Sequence, residues 1–82
     1  MNFIYDLRIK HEVVGDFELA GIFKTENDAY NGLTEFKKKS VKIANQMERN
    51  TYYEVEVRKH GFGLDVLTNL VYKDSFTTIF EK

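Results

Sequence analysis

The sequence predicts an α+β domain, an antiparallel sheet with one long helix packed across one face, in the order ββαβββ. Three observations predict it. Apolar side chains alternate with polar ones over residues 3–13 and again over 51–59, the period of a half-buried strand. Between these stretches, apolar residues recur at steps of three and four from Ala29 to Met47, the mark of an amphipathic helix. No repeat, linker or proline interrupts the 82 residues, so residues 1–82 read as a single domain.

The first strand places Phe3, Tyr5, Leu7, Ile9 and Val13 on one face and Asp6, Arg8, Lys10 and Glu12 on the other. After Val14-Gly15-Asp16 the alternation resumes, with Phe17, Leu19 and Phe23 on one face and the small Gly21 between them. Both apolar sets are odd-numbered. If they share one sheet face, the hairpin connection has an odd length, and a loop of three or five residues around Gly15 is expected.

Thr25 opens the helix, its hydroxyl placed to cap the amide of Asp28, while Glu26 and Asp28 in the first turn complement the helix dipole. Ala29, Leu33, Phe36, Ser40, Ile43 or Ala44, and Met47 make the core stripe, softened by Ser40. The helix is expected to end between Glu48 and Asn50, with Arg49 suiting the negative end and Asn50 in the left-handed cap. Tyr53, Val55 and Val57 then alternate with Tyr52, Glu54, Glu56 and Arg58 as a third strand. His60-Gly61-Phe62-Gly63 reads as a turn. Leu64, Val66, Thr68, Leu70 and Tyr72 read as a fourth strand, although Leu64, Leu67 and Val71 also fit a short helix. Lys73-Asp74-Ser75 turns the chain before a last short strand over residues 76–80.

Composition excludes several function classes. No cysteine is present, so no disulfide framework or thiolate metal site supports so small a chain. Seven Phe and five Tyr must supply the core, and pairing with a second copy is a common remedy for a core of this size. Twelve basic residues against 13 acidic ones give no net field towards nucleic acid or membrane. Asp6 and Arg8 break the first apolar run, so it reads as neither a signal peptide nor a span, and a cytoplasmic protein is expected.

Lys37, Lys38, Lys39 and Lys42 crowd the helix. At 100° per residue, Lys38, Lys42, Asn45 and Arg49 project away from the Leu33–Phe36–Met47 stripe, and Lys39 stands four residues after Glu35, where an ion pair is expected. That face reads first as a solvated surface, with a basic ridge for phosphate or an acidic partner as the alternative, towards which Tyr30 and Val41 on a neighbouring exposed face add some weight. The stretch His60-Gly61-Phe62-Gly63 resembles the first ribonucleoprotein motif of RNA-recognition domains, but Leu64 and Leu67 stand where aromatic rings belong and the element order differs. His11 and His60 have no spacing that brings carboxylates to a metal, and Ser40, Ser75, Thr25 and Thr51 have no histidine at a recognisable offset for nucleophilic catalysis. Glu54 and Glu56 share a strand face that reads as solvated surface. No catalytic, metal or cofactor residues are assigned. Ile4, Ala20, Ile22 and Tyr52 fall on the sheet face away from the helix, and with no proline to blunt the sheet edges, this face or an edge suits an assembly contact.

Gly21, Ile22, Phe23, Thr25, Ala29 and Tyr52-Tyr53 carry one resemblance. A strand ending in Gly, Ile or Val, and Phe, then Ser or Thr, an Ala-bearing amphipathic helix and a Tyr-rich strand resembles small proteins of bacteriophages and related mobile elements. The resemblance implies a non-enzymatic protein that binds host proteins, including defence nucleases, and redirects or inhibits them. It defines no functional residues. The expectation is therefore a homodimeric interaction module, with Tyr30, Lys38, Val41, Lys42, Arg49, Tyr52 and Phe62 as partner-binding residues. Nucleic-acid binding through the helix ridge is the alternative, and an enzyme ranks below both.

Overall fold

The computed structural model describes residues 3–12, 15–61 and 68–81. Among the described residues, strands β1 (Phe3–His11), β2 (Glu18–Phe23), β3 (Thr51–Gly61) and β4 (Thr68–Thr78) form one antiparallel sheet in the order β2-β1-β3-β4. Helix α1 (Glu26–Met47) packs across one face of it, so the expected α+β class is the one found. The two central strands, β1 and β3, pair without interruption from Phe3 opposite Gly61 to His11 opposite Tyr53. Their odd-numbered residues therefore share a face, and Leu7, Ile9, Tyr53, Val55 and Val57 meet Ala29 and Leu33 of α1 to make the core. Tyr53, buried to 1 % exposure, organises the rings at one end. Phe76 stacks on it with centroids 5.1 Å apart, and Phe36 and His11 each meet it edge-on at 5.0 Å.

The outer strands depart from the expected pattern, each through a β-bulge. On β2 the register shifts between Gly21 opposite Leu7 and Leu19 opposite Arg8, which leaves Ala20 as the extra residue. Gly21 and Phe23 keep the helix side, but Leu19 passes to the open face and is 51 % exposed. Ala20, expected on the open face, instead lines a cavity with Leu7 and Phe36. The bulge also removes the parity argument for an odd hairpin loop: the connection runs over residues 12–17, longer than expected, and Glu12 turns the chain with φ 67°. Residues 13–14 of it lie outside the described part.

On β4 the shift falls between Tyr72 opposite Val57 and Leu70 opposite Arg58, with Val71 extra. Tyr72, Phe76 and Thr78 consequently face the helix, whereas Leu70, expected to point inward with Tyr72, lies on the open face. Lys73-Asp74-Ser75 is not a turn; these residues pair with Glu56, Val55 and Glu54, and the last two expected strands are one continuous strand. The strand form holds from Thr68 onward, and the choice between strand and helix at residues 64–67, with the expected turn residues Phe62 and Gly63, lies outside the described residues.

Helix α1 begins as its sequence dictates, with the Thr25 hydroxyl accepting from the Asp28 amide at 3.1 Å. Its end is different. Glu48, not Asn50, takes the left-handed cap at φ 54°, and the Asn50 side chain accepts from the Phe80 amide at 2.7 Å. Ser40 does not soften the stripe. Fully buried, its hydroxyl is 2.6 Å from Thr78 Oγ1 and donates to the Lys37 carbonyl, tying helix to β4. Met47, expected in the core, is 46 % exposed because the packed face ends at Ala44.

Candidate interaction surface

The expected partner-binding residues do not form one patch. Tyr30, expected to have no core duty, packs against the core with its ring edge-on to Tyr72, centroids 5.3 Å apart. Burial, aided by the nearby Glu26 carboxylate, raises the pKa of its hydroxyl. Lys38 is exposed but pairs with Glu35 at 3.3 Å, three residues away, in place of the Lys39 pairing expected from sequence. Arg49 lies beyond the end of α1 and pairs with Glu12 at 3.3 Å. The basic ridge is thus reduced to Lys42, with Val41 exposed on the flank towards β4. Tyr52 is half-buried on the open sheet face, opposite Thr77, and Phe62 lies outside the described residues.

The open face is a charge mosaic. Across the central strands Asp6 stands opposite Arg58, Arg8 opposite Glu56 and Lys10 opposite Glu54, and across the next pair Glu56 stands opposite Lys73. Every one of these cross-strand pairs joins opposite signs, which stabilises this register over a slipped one. Asp6, at 6 % exposure, is the most enclosed carboxylate among the described residues; His60 Nε2 lies 2.6 Å and Arg8 3.3 Å from its Oδ2. Lys10 and Glu54 form a salt bridge, and Arg58 holds Glu56 at 3.3 Å. The face is therefore internally neutralised rather than prepared for a charged ligand. Among the described residues no cluster of His, Asp or Glu side chains is arranged to hold a metal ion.

Sequence reasoning did not find the two edges of the layered structure. At the β2 edge, Phe23 lies in the seam between strand and helix, so close to Gly21 and Gly32 that a Cβ on either would come within 2.7 Å and 2.5 Å of its ring. A glycine in mid-helix, costly by about 1 kcal/mol relative to alanine, is explained by that ring. Beside it a cavity of about 230 Å³ is lined by Leu7, Ala20, Phe23, Gly32 and Phe36, with Glu35 and Lys39 completing the lining. At the β4 edge, Asp74 Oδ1 accepts from the Ser75 amide at 2.8 Å and Oδ2 from the Tyr72 hydroxyl at 2.9 Å. The Ser75 amide, then the Tyr72 hydroxyl, hold the Asp74 pKa below its ordinary value, and Asp74 in turn raises that of Tyr72. A signal for the first edge exists in the Gly21-Ile22-Phe23 run; none exists for the second.

No protein family, curated protein or solved structure matches the chain. Among the described residues, no helix is long and apolar enough to cross a membrane.

Proposed function

We propose that this chain is a small non-enzymatic interaction module of the cytoplasm, a homodimer that acts by stoichiometric binding to a protein. The observation that carries the reading is the number of large apolar side chains left outside a small core: Leu19, Ile22, Val41, Met47, Leu70 and Ile79 are all exposed. Of these, Leu19 and Ile22 share the open face of β2, and contiguous exposed apolar groups mark association surfaces. The shape agrees with this reading. A radius of gyration of 14.2 Å exceeds the roughly 12 Å of a compact chain of this length, and the extents of 50 × 24 × 15 Å describe a slab with much surface for its volume. The likeness carried by Gly21, Ile22, Phe23, Thr25, Ala29 and Tyr52-Tyr53 to small bacteriophage and mobile-element proteins supports a host protein as the partner, with inhibition as the consequence of binding.

Affinity capture of the tagged chain from its native host, followed by mass spectrometry, tests the reading. The expected result is one host protein enriched at a one-to-one ratio and lost with Val41→Asp or Lys42→Glu. Enrichment of nucleic acid instead, sensitive to salt, would move the assignment to the helix-ridge alternative. That alternative has less support, because Lys38 and Arg49 are already engaged by Glu35 and Glu12.

A further inference from the structure

The homodimer in the reading above leaves open which surface a second copy covers. We infer that it is the β2 edge, with two copies lying antiparallel along β2 and the adjoining flank of α1. Two observations carry this. The first is apolar: Leu19 and Ile22 both lie on the open face of the edge strand, opposite Arg8 and Asp6, at 51 % and 58 % exposure. A two-fold axis between Ala20 and Gly21 brings Leu19 of each copy against Ile22 of the other and closes a four-residue apolar cluster. The same axis sets Glu18 beside Phe23 of the second copy, both on the helix side, so every facing agrees.

The second observation is charge. Exposed Glu18 and Lys24 stand at the two ends of β2, acid first. On the helix, Glu35 and Lys39 line the cavity beside the same strand, again acid first. Along both β2 and this turn of α1 acid precedes base, and an antiparallel copy brings Glu35 to Lys39 of its partner twice over. Lys39 has no ion pair with any described residue, and Glu35 has an exposed one with Lys38 that is readily exchanged. The Ala20 bulge interrupts the ladder, so these side-chain contacts, rather than a continuous run of backbone hydrogen bonds, hold the copies together. β4 offers the poorer edge, since Asp74 already occupies the Ser75 amide at its centre.

Sedimentation equilibrium of the full chain decides it. The expected mass is twice the 9.7 kDa of one chain. Ile22→Lys sets a lysine against Leu19 and is expected to weaken dimerisation at least about tenfold, with an unchanged circular dichroism spectrum. Leu70→Lys on β4 leaves the dimer intact. Glu35→Lys weakens it by juxtaposing like charges, and adding Lys39→Glu restores it. A dimer that survives Ile22→Lys but not Leu70→Lys overturns this contact and leaves the dimeric module standing. A wild-type chain that stays monomeric at its highest soluble concentration overturns both.

Discussion

At one side of the sheet β2 runs for six residues, bulged at Ala20, with the Phe23 ring filling the seam to the helix between Gly21 and Gly32. At the other side β4 runs for eleven residues and is joined to the same helix by a hydrogen bond and by rings: Ser40 to Thr78, Tyr30 edge-on to Tyr72, Phe36 edge-on to Phe76, and Lys37 over the Phe76 ring at 5.1 Å. On the longer edge Asp74 turns back onto the Ser75 amide and occupies that donor. The shorter edge keeps Leu19 and Ile22 in solvent. The difference teaches that a small sheet need not blunt both edges by the same means. A long edge invites a strand to add, and here a side chain occupies one of its amides near the centre. A short, bulged edge templates poorly and can carry exposed apolar residues for a contact whose selectivity comes from side chains.

The largest effect expected from breaking this contrast comes from Phe23→Ala. Deleting the ring empties the seam between Gly21 and Gly32 and extends the cavity, at a cost of about 2–3 kcal/mol, below the full range for a buried Phe because the ring is only half-buried. Denaturant unfolding measures the loss, and hydrogen exchange is expected to quicken first in β2 while β4 stays protected.

Next in size is Ser40→Ala, which strands the buried Thr78 hydroxyl and is expected to cost about 1–2 kcal/mol. Removing both hydroxyls, with Ser40→Ala and Thr78→Val, should recover most of that loss. A double-mutant cycle reads the coupling directly, and additive losses would show that the pair is not the tie between helix and β4.

A smaller effect attaches to Asp74, whose pKa is held low in the fold. Its contribution is fully present above the ordinary carboxylate value of about 3.9 and is lost as pH falls through the lower folded value. The Ser75 amide proton shift followed by NMR should titrate in that acid window. In Asp74→Asn the titration is expected to disappear, whereas Asp74→Ala, which removes the acceptor from the Ser75 amide, is expected to increase self-association through β4. Tyr72 mirrors this at the alkaline end: its raised pKa means its support is complete below about 10 and fades as pH rises through the higher folded value.

The smallest effect is expected from Lys38→Ala. Its pair with Glu35 is largely solvated on both sides, so unfolding midpoints should move by less than about 0.5 kcal/mol. In the proposed dimer the same change frees Glu35 for Lys39 of the second copy, and dimerisation should hold or tighten slightly.

Legibility followed the range of the interaction. The alternation of β1 and β3 and the Thr25 cap were readable, because each depends on residues a few positions apart. The stripe was readable in Ala29, Leu33 and Phe36, but Met47 was misplaced because the sheet beneath the helix ends before it does. Tyr30 looked exposed on the wheel until Tyr72, 42 positions on (72 − 30), came to rest against it. Ser40 looked like a flaw in the stripe until Thr78 supplied its hydrogen bond. The bulges left no mark, since Phe17, Leu19 and Phe23 keep an unbroken odd parity whether or not Ala20 is extra.

By itself the sequence determined the class, the single long helix with its start, and the pairing faces of the central strands. Period and capping are local and repeat often enough to outweigh any one misfit. The tertiary structure alone decided where the outer strands slip by a residue, which helix lysine pairs with Glu35, and which edge has an amide occupied by its own side chain. Those outcomes depend on the shape of a neighbour brought from elsewhere in the chain or on the choice among nearly equivalent partners, and no local pattern encodes either.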